Sequence, residues 1–361
     1  MNNNEILMKR AIQLAKKGKG RVSPNPLVGA IIVKNGTIIA TGYHRKAGTE
    51  HAEVIAIRKA GKKTKGSIMY VNLEPCCHYG NTPPCTKTII SADIKEVFVG
   101  TKDPNPLVSG KGIKELKKSG IMVHKGILEK EARELNEFYL TFMEKKRPFI
   151  ILKTAQTIDG KIADIYGNSK WLTNKLARRK VHSLRNEVDA ILTGMGTVKK
   201  DNPLLTPRLV KKIKKPTRIV LDTNLRISQE SNIVGEGTII VTARKNHIKK
   251  EKMLKDMGVK IWKVETDKNS INIQKVLKKA YKQGIQSILI EAGRGVASSF
   301  LREKLVDKIY IFISNKILGS GMPSFERIGL EKLSDALLID NISFERFEDN
   351  LLIKGYVHRN H

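Results

Sequence analysis

Short runs of apolar residues alternate along the chain with segments whose apolar positions recur every three or four residues, and these two periods predict strands and helices in turn. Leu7, Ala11 and Leu14, with Met8, Ile12 and Ala15, fall at helical spacing near the start. Residues 30–44, AIIVKNGTIIATGYH, predict a hairpin that turns at Asn35-Gly36. HAEVIAIRKAG (51–61) predicts a helix stopped by Gly61, and SIMYVNLEP (67–75) a buried strand. A helix after TPPC, a strand beginning EVFVG, and a helix and strand over 113–123 follow. One helix is expected over 129–146; it ends at Arg147-Pro148, because proline disfavours a helical residue before it.

The second half restarts with a strand over 149–155 and a helix over 173–188. Thr173 is the expected cap of that helix, and Leu176, Val181, Leu184 and Val188 its apolar face. Strands are predicted at 190–194, 218–222, 238–243, 259–264 and 287–293 with helices between, then DKIYIFIS and two terminal amphipathic strands. Asp222, ending RIVLD, is expected to cap a turn. Such alternation predicts α/β architecture in both halves. A length of 361 residues exceeds what one hydrophobic core usually serves, so two domains are expected, 1–146 and 147–361. Neither an internal repeat nor a low-complexity linker interrupts them.

The start, MNNNEILMKRAIQLAKKGKG, is charged at position 5 and lacks a cleavable signal pattern, and no apolar run reaches the roughly 18 residues of a bilayer span. A cytoplasmic protein without a membrane partner is expected. The net charge of +32 allows readings from nucleic acid or anionic substrates to a lysine-biased surface. Its basic runs, at 16–21, 58–66, 211–215 and 245–252, have no interleaved aromatic residues for stacking bases, and aromatics make up 5% of the chain. Nucleic acid is therefore not expected as a partner; a homo-oligomer is.

All three cysteines, Cys76, Cys77 and Cys85, fall within LEPCCHYGNTPPC (73–85). In a reducing compartment, clustered thiols point to a metal or to catalysis, and an odd count leaves one without a disulfide partner. His51, Cys76 and Cys85 supply the mixed nitrogen and sulfur set of a zinc site with an open fourth position. Glu53, two residues beyond His51 at a helix start, is free to shuttle protons for an activated water. This arrangement suits hydrolytic deamination of an aminated heterocycle, and a His-x-Glu motif followed by Pro-Cys and a second cysteine is the pattern of nucleobase deaminases. Here the two cysteines are separated by eight residues in place of two. The competing readings are a structural zinc closed by Cys77 or His78, and a set of buried, inert thiols.

The long form LEPC-x-H-x-G-x-TPPC, together with PNPLVGAIIV (24–33), GYH (42–44), HAE and DPNP (103–106), resembles one family over essentially the whole chain. It is the bifunctional riboflavin-biosynthesis family, a diaminohydroxyphosphoribosylaminopyrimidine deaminase fused to a 5-amino-6-(5-phosphoribosylamino)uracil reductase. The resemblance implies a cytidine-deaminase-like zinc domain followed by a dihydrofolate-reductase-like domain that uses NADPH, acting on phosphoribosylated pyrimidines. Asn25, His44, His78, Asp103 and Asn105 match the pyrimidine and ribose positions. Read without the family, Asn25 and Asn105 are turn residues between prolines. Cys77 stands where serine is usual in the family, and Asn81 where a basic residue is frequent.

Local signals are weaker in the second half. EAGRGVASSF (291–300) follows a buried strand and opens a helix, so its glycines can bring backbone amides to a phosphate, but it is not GxGxxG and lies late in the chain, which disfavours a Rossmann domain. By resemblance, Ala155, Trp171, Thr197, Asp201 and Gly293, Arg294, Gly295, Val296, Ala297, Ser298 and Ser299 match cofactor positions. Lys153, Ser169, Arg185, Leu205, Arg208 and Glu291 match substrate positions. Arg185 and Arg208 are each expected to offer a phosphate a two-pronged fork. Trp171, read alone, is a core residue. The alternative function is an RNA-editing deaminase with an RNA-binding second half, which needs a basic, aromatic-lined groove and no cofactor.

Overall fold

The computed structural model describes residues 2–80, 82–243, 247–267 and 270–357; Asn81 and the start of the basic run at 245–252 lie outside them. The chain divides into two compact units, Met1–Arg147 and Pro148–His361.

In the first unit, α1 (Asn3–Ala15) opens with a capping box in which Asn2 and Glu5 exchange side-chain and backbone hydrogen bonds. The hairpin follows as β1 (Gly29–Lys34) and β2 (Thr37–Tyr43), with Asn35 and Gly36 both at positive φ as a tight primed turn requires. Next come α2 (Ala52–Ala60), β3 (Ile68–Leu73), α3 (Cys85–Ser91), β4 (Glu96–Thr101), α4 (Lys111–Lys118) and β5 (Met122–Lys125). The helix expected over 129–146 is two helices, α5 (Glu129–Leu135) and α6 (Glu137–Lys145). Asn136 breaks it: its side chain accepts from Leu27 N at 2.7 Å and donates to Leu27 O at 3.0 Å, fixing the link between the helices against a distant loop.

The sheet order is β2-β1-β3-β4-β5, with β1 antiparallel to both neighbours and β3, β4 and β5 parallel. Alternate side chains serve its two faces, as the period of two dictates. Ile31, Val33, Tyr70 and Phe98 pack with Leu7, Met8, Ala11 and Ala132 of α1 and α5. Ala30, Ile32, Met69, Val71, Val97 and Val99 pack with α2, α3, α4 and α6. Gly42 matters for the site: a Cβ there would lie 2.2 Å from Ala52 O, so only glycine lets the first turn of α2 rest on β2.

The second unit begins with β6 (Phe149–Gln156), β7 (Lys161–Ala163), α7 (Lys175–Glu187), β8 (Ala190–Gly194), α8 (Met195–Asp201), β9 (Thr217–Leu221), β10 (Thr238–Thr242) and α9 (Ile248–Asp256). It continues through β11 (Lys260–Lys263), β12 (Thr266–Asp267), β13 (Ser270–Ile271), α10 (Ile273–Lys282), β14 (Ser287–Ile290), α11 (Arg294–Arg302), β15 (Lys308–Ile313), β16 (Met322–Pro323), β17 (Ile339–Phe347) and β18 (Asn350–Val357). Nine strands form one sheet, β11-β10-β9-β8-β14-β6-β15-β18-β17. Its first seven members are parallel, and β18 and β17 run antiparallel at one edge. Parallel strands covered on both faces read as continuous apolar runs, which is why FIIL, AIL and SILI carry no alternation.

Two expectations for α7 are corrected. Its cap is Asn174, whose side chain accepts from Ala177 N at 2.9 Å, and not Thr173. Leu176 is exposed, and the buried face instead holds Ala177, Val181, His182, Leu184 and Arg185. β17 also departs from the amphipathic pattern expected of it, with Ile342 and Phe344 exposed on the edge strand. Asp222 does secure a turn, accepting from Ile227 N at 2.8 Å.

Candidate functional site

His51 is the N-cap residue of α2, extended at φ −75° and ψ 163°, and Glu53 follows in the first turn. Cys76 lies just beyond the end of β3, and Cys85 opens α3. The three potential ligand atoms converge: His51 Nδ1 is 3.2 Å from Cys85 Sγ and 3.5 Å from Cys76 Sγ. A tetrahedral ion with bonds of about 2.3 Å to sulfur and about 2.0 Å to nitrogen holds its ligand atoms roughly 3.5–3.8 Å apart, so the set fits zinc with little movement. Neither Cys77 nor His78 belongs to the ligand group among the described residues. The Cys77 thiol faces Leu107 O at 3.7 Å.

The Glu53 side chain is buried, and its Oε2 has no hydrogen-bond partner. Burial pushes its carboxyl up to about 7, against the pull of His51. A hydrogen bond with Cys85 brings Cys76 down to about 4, with burial opposing and His51 assisting; the same bond, with burial, drives Cys85 well above the ordinary thiol range. The hydrogen bond between them thus favours a Cys76 thiolate beside a protonated Cys85, and a cation that binds both sulfurs displaces the remaining proton.

Polar groups surround this cluster. The His44 ring meets His51 edge-on at 5.3 Å, its Nδ1 lies 3.0 Å from Glu50 O, and its Nε2 lies 3.1 Å from Asn25 Nδ2. Nδ1 therefore carries the proton, Nε2 accepts from the Asn25 amide, and burial keeps the ring neutral. The Asn25 side chain is thus engaged with His44, while its backbone N–H donates to Val22 O in the turn. Asn105 does make the turn contact, accepting from Leu107 N. Asp103 accepts from Asn105 N at 2.8 Å and from Tyr139 Oη at 2.9 Å; burial raises it to about 6 despite those bonds. His78 Nδ1 is buried without a partner.

The second unit has a cleft of about 1300 Å³ at the carboxyl ends of its parallel strands, where open α/β sheets bind ligands. Every cofactor and substrate position expected in this unit lines it except Ser298, whose hydroxyl is buried in α11 and accepts from Glu326 N. Gly293 is the N-cap of α11 and donates to Thr197 Oγ1 at 3.1 Å. Trp171 is 64% exposed, with the Arg178 guanidinium 4.3 Å from its ring centroid, and so is a cleft residue rather than core. The two arginines differ. Arg185 already spends its fork on Glu291, Nε to Oε1 at 2.6 Å and Nη2 to Oε2 at 2.9 Å, and Nη1 holds Thr206 O. The expectation that it offers a phosphate that fork is corrected; Arg208, exposed in the cleft, keeps its own.

The RibD C-terminal domain model matches residues 148–353, and the cytidine and deoxycytidylate deaminase zinc-binding region matches residues 1–101. The riboflavin biosynthesis protein RibD of Aquifex aeolicus is 45% identical over 348 residues, covering 96% of each chain. The chain belongs to the RibD family. The Escherichia coli member is 38% identical over 92% of this chain and 94% of its own. Among solved structures, RibD of Acinetobacter baumannii superposes with a TM-score of 0.90 at 34% identity, covering 99% of both chains. The Thermotoga maritima protein, a diaminohydroxyphosphoribosylaminopyrimidine deaminase/5-amino-6-(5-phosphoribosylamino)uracil reductase, gives 0.85 at 41% identity, covering 98% of this chain and 99% of that one. The first unit is therefore a cytidine-deaminase-like zinc domain and the second a RibD reductase domain. The RNA-editing alternative is not favoured by these relatives, and no described helix is long and apolar enough to cross a membrane.

Sequence reasoning missed several residues that shape the RibD sites. Glu74 is buried beside Pro75-Cys76 and accepts from Asp103 N, Gly110 N and Ile113 N, anchoring the loop that carries Asp103 and Asn105. An acid at the end of the buried strand run SIMYVNL was the available signal. Tyr139 and His182 gave none, because their partners are distant in sequence.

Proposed function

We propose that this chain carries out two successive steps of riboflavin biosynthesis. Residues 1–146 deaminate 2,5-diamino-6-(5-phosphoribosylamino)pyrimidin-4(3H)-one, and residues 147–361 then reduce its ribosyl group to ribityl with NADPH. The observation that carries the reading is Glu53, a buried carboxylate with one oxygen unpartnered, in the first turn of the helix that presents His51 to Cys76 and Cys85.

Zinc, when bound by those three residues, supplies the Lewis acidity that makes water a nucleophile at neutral pH. Glu53 Oε2 takes a proton from the attacking water and delivers it to the departing amine, so that one water enters and one ammonia leaves. Burial raises this carboxyl from its ordinary range, which helps it to take the proton and hold it for the leaving amine. Asn25, His44, His78, Asp103 and Asn105 orient the pyrimidine and ribose. In the second unit Lys153, Ser169, Arg185, Leu205, Arg208 and Glu291 receive the deaminated substrate, with Arg208 on its phosphate. NADPH, when bound along Ala155, Trp171, Thr197, Asp201 and Gly293 to Ser299, supplies the hydride. The exposed Ile342 and Phe344 on edge strand β17 support a homo-oligomer, and Phe344→Lys should then sediment as a smaller species than the parent; an unchanged mass removes that support. Three free thiols suit a cytoplasmic location.

Glu53→Gln tests the deaminase assignment. The variant should keep a full equivalent of zinc while losing most ammonia release, typically about 10²- to 10⁴-fold for a general acid–base. Zinc lost in proportion to the substitution makes Glu53 a ligand, and retained activity removes it from the proton path.

A further inference from the structure

On α7, Lys175, Arg178, His182 and Arg185 follow one another at intervals of three and four residues, and all four line the cleft. His182 is buried, and its Nδ1 lies 2.8 Å from Arg208 N. The backbone N–H can only donate, so Nδ1 accepts and the ring proton sits on Nε2. Burial, with the charges of Arg185 and Arg208, lowers the ring to about 4 and keeps it neutral in that role.

The segment that carries Arg208 has few bonds of its own. Leu205 sits at φ 48°, and Pro207 has no N–H to give. α7 holds this stretch through Arg185 Nη1 to Thr206 O at 3.1 Å and through His182 to Arg208 N, with the Thr206 backbone also interacting with the His182 ring. The second bond fixes the amide nitrogen bonded to the Cα from which the exposed Arg208 side chain projects. A guanidinium at the end of so long a side chain moves by ångströms when that root turns, and a displacement of about 1 Å at a binding group can cost up to about 10²-fold.

We propose that His182 is a positioning residue of the reductase: it holds the Arg208 backbone and so aims the guanidinium at the phosphate of the ribosyl substrate. This rests on the reading of Arg208 as the phosphate anchor. Asparagine can keep an acceptor where Nδ1 stands, whereas glutamine places its oxygen nearer the Nε2 position, so the two substitutions separate the bond from mere bulk.

The test uses the full chain, assayed for NADPH oxidation with the deaminated substrate, and ribose 5-phosphate as a competitive inhibitor that reports the phosphate subsite. His182→Ala should raise KM and the inhibition constant together by about 3- to 10-fold, the worth of one neutral hydrogen bond, with kcat and NADPH affinity unchanged. His182→Asn should restore both constants and His182→Gln should not. Unchanged constants in His182→Ala, alongside raised ones in Arg208→Ala, overturn the inference and leave the phosphate anchor standing. Unchanged constants in Arg208→Ala overturn the anchor itself and the inference with it. Equal losses of NADPH and substrate affinity make His182 a general support of the cleft and overturn its specific role. Should His182→Ala fail to fold, the asparagine and glutamine variants decide: equal constants in those two refute the proposal.

Discussion

Replacing Arg185 with alanine strands Glu291, and the cost follows from how that carboxylate is held. Glu291 is buried, which alone would raise its pKa, but the charge and two hydrogen bonds of Arg185, helped by Lys153, bring it down to about 2 from an ordinary 4.5. A depression of that size corresponds to roughly 3 kcal/mol of folding stability. Because the folded pKa lies below the unfolded one, this contribution is complete above about pH 4.5 and is lost as the pH falls towards 2. Without Arg185 the carboxylate keeps only the Lys153 ammonium, 3.9 Å away, and burial pushes its pKa upward instead. Removing one partner of a buried pair typically costs about 3–5 kcal/mol. Lys153 and the open cleft place Arg185→Ala near the lower figure at pH 7.5, and the deficit should shrink towards pH 5 as Glu291 takes a proton.

Both tryptophans, Trp171 and Trp262, belong to the second unit, so tryptophan fluorescence in urea follows its unfolding separately from the first unit's. The double variant Arg185→Met with Glu291→Leu removes the forked pair and should cost less than Arg185→Ala, since apolar replacements of a buried pair are often neutral; Lys153, left without its carboxylate, loses its proton more easily because burial already lowers its pKa. A loss below about 1 kcal/mol in Arg185→Ala, or a deficit that does not change between pH 5 and 7.5, would mean that water already screens the pair and would refute the reasoning.

Cys77→Ser should retain zinc and ammonia release, because that thiol faces Leu107 O and not the ligand group; a metal-free variant would return it to the coordination sphere. Expressed separately, residues 1–146 should release ammonia without NADPH, and residues 147–361 should oxidise NADPH only with the deaminated compound. A second half that is folded by circular dichroism yet binds no NADPH would end the reductase assignment and leave the deaminase untouched.

The sequence disclosed what repeats or clusters locally. Strand and helix periods located most of the elements around both sites, and three cysteines within a dozen residues pointed back to HAE before any geometry was known. What it concealed was set by partners far along the chain. Asn136 ends one helix and begins another because Leu27, 109 residues earlier, takes both ends of its amide. Leu176 fits an apolar face by spacing, but α7 turns its polar positions inward, since Arg185 must reach Glu291, 106 residues away. No helical periodicity foretells a buried arginine whose counter-ion follows another strand. Trp171 failed for the opposite reason: a large aromatic usually fills a core, and only the cleft and the Arg178 cation over its ring explain its exposure.

The same residue type is asked for opposite behaviour in the two units. Glu53 and Glu291 are buried to a similar degree, 3% and 9% exposed, and desolvation pushes both towards the neutral acid. Around Glu53 that push wins: the charge of His51 and a hydrogen bond with Cys85 oppose it without reversing it, one oxygen lacks a partner, and the carboxyl rises to about 7, where it can take and return a proton. Around Glu291, a bidentate guanidinium and a nearby ammonium reverse it, and the carboxylate stays charged throughout the neutral range. A group held that far below neutrality is a poor proton carrier but a firm acceptor. It can fix Arg185 and Lys153 in place and receive a hydroxyl without changing its own state. Burial thus sets the cost of the charge at both positions, and the neighbouring cations decide whether the carboxylate moves a proton or holds a shape.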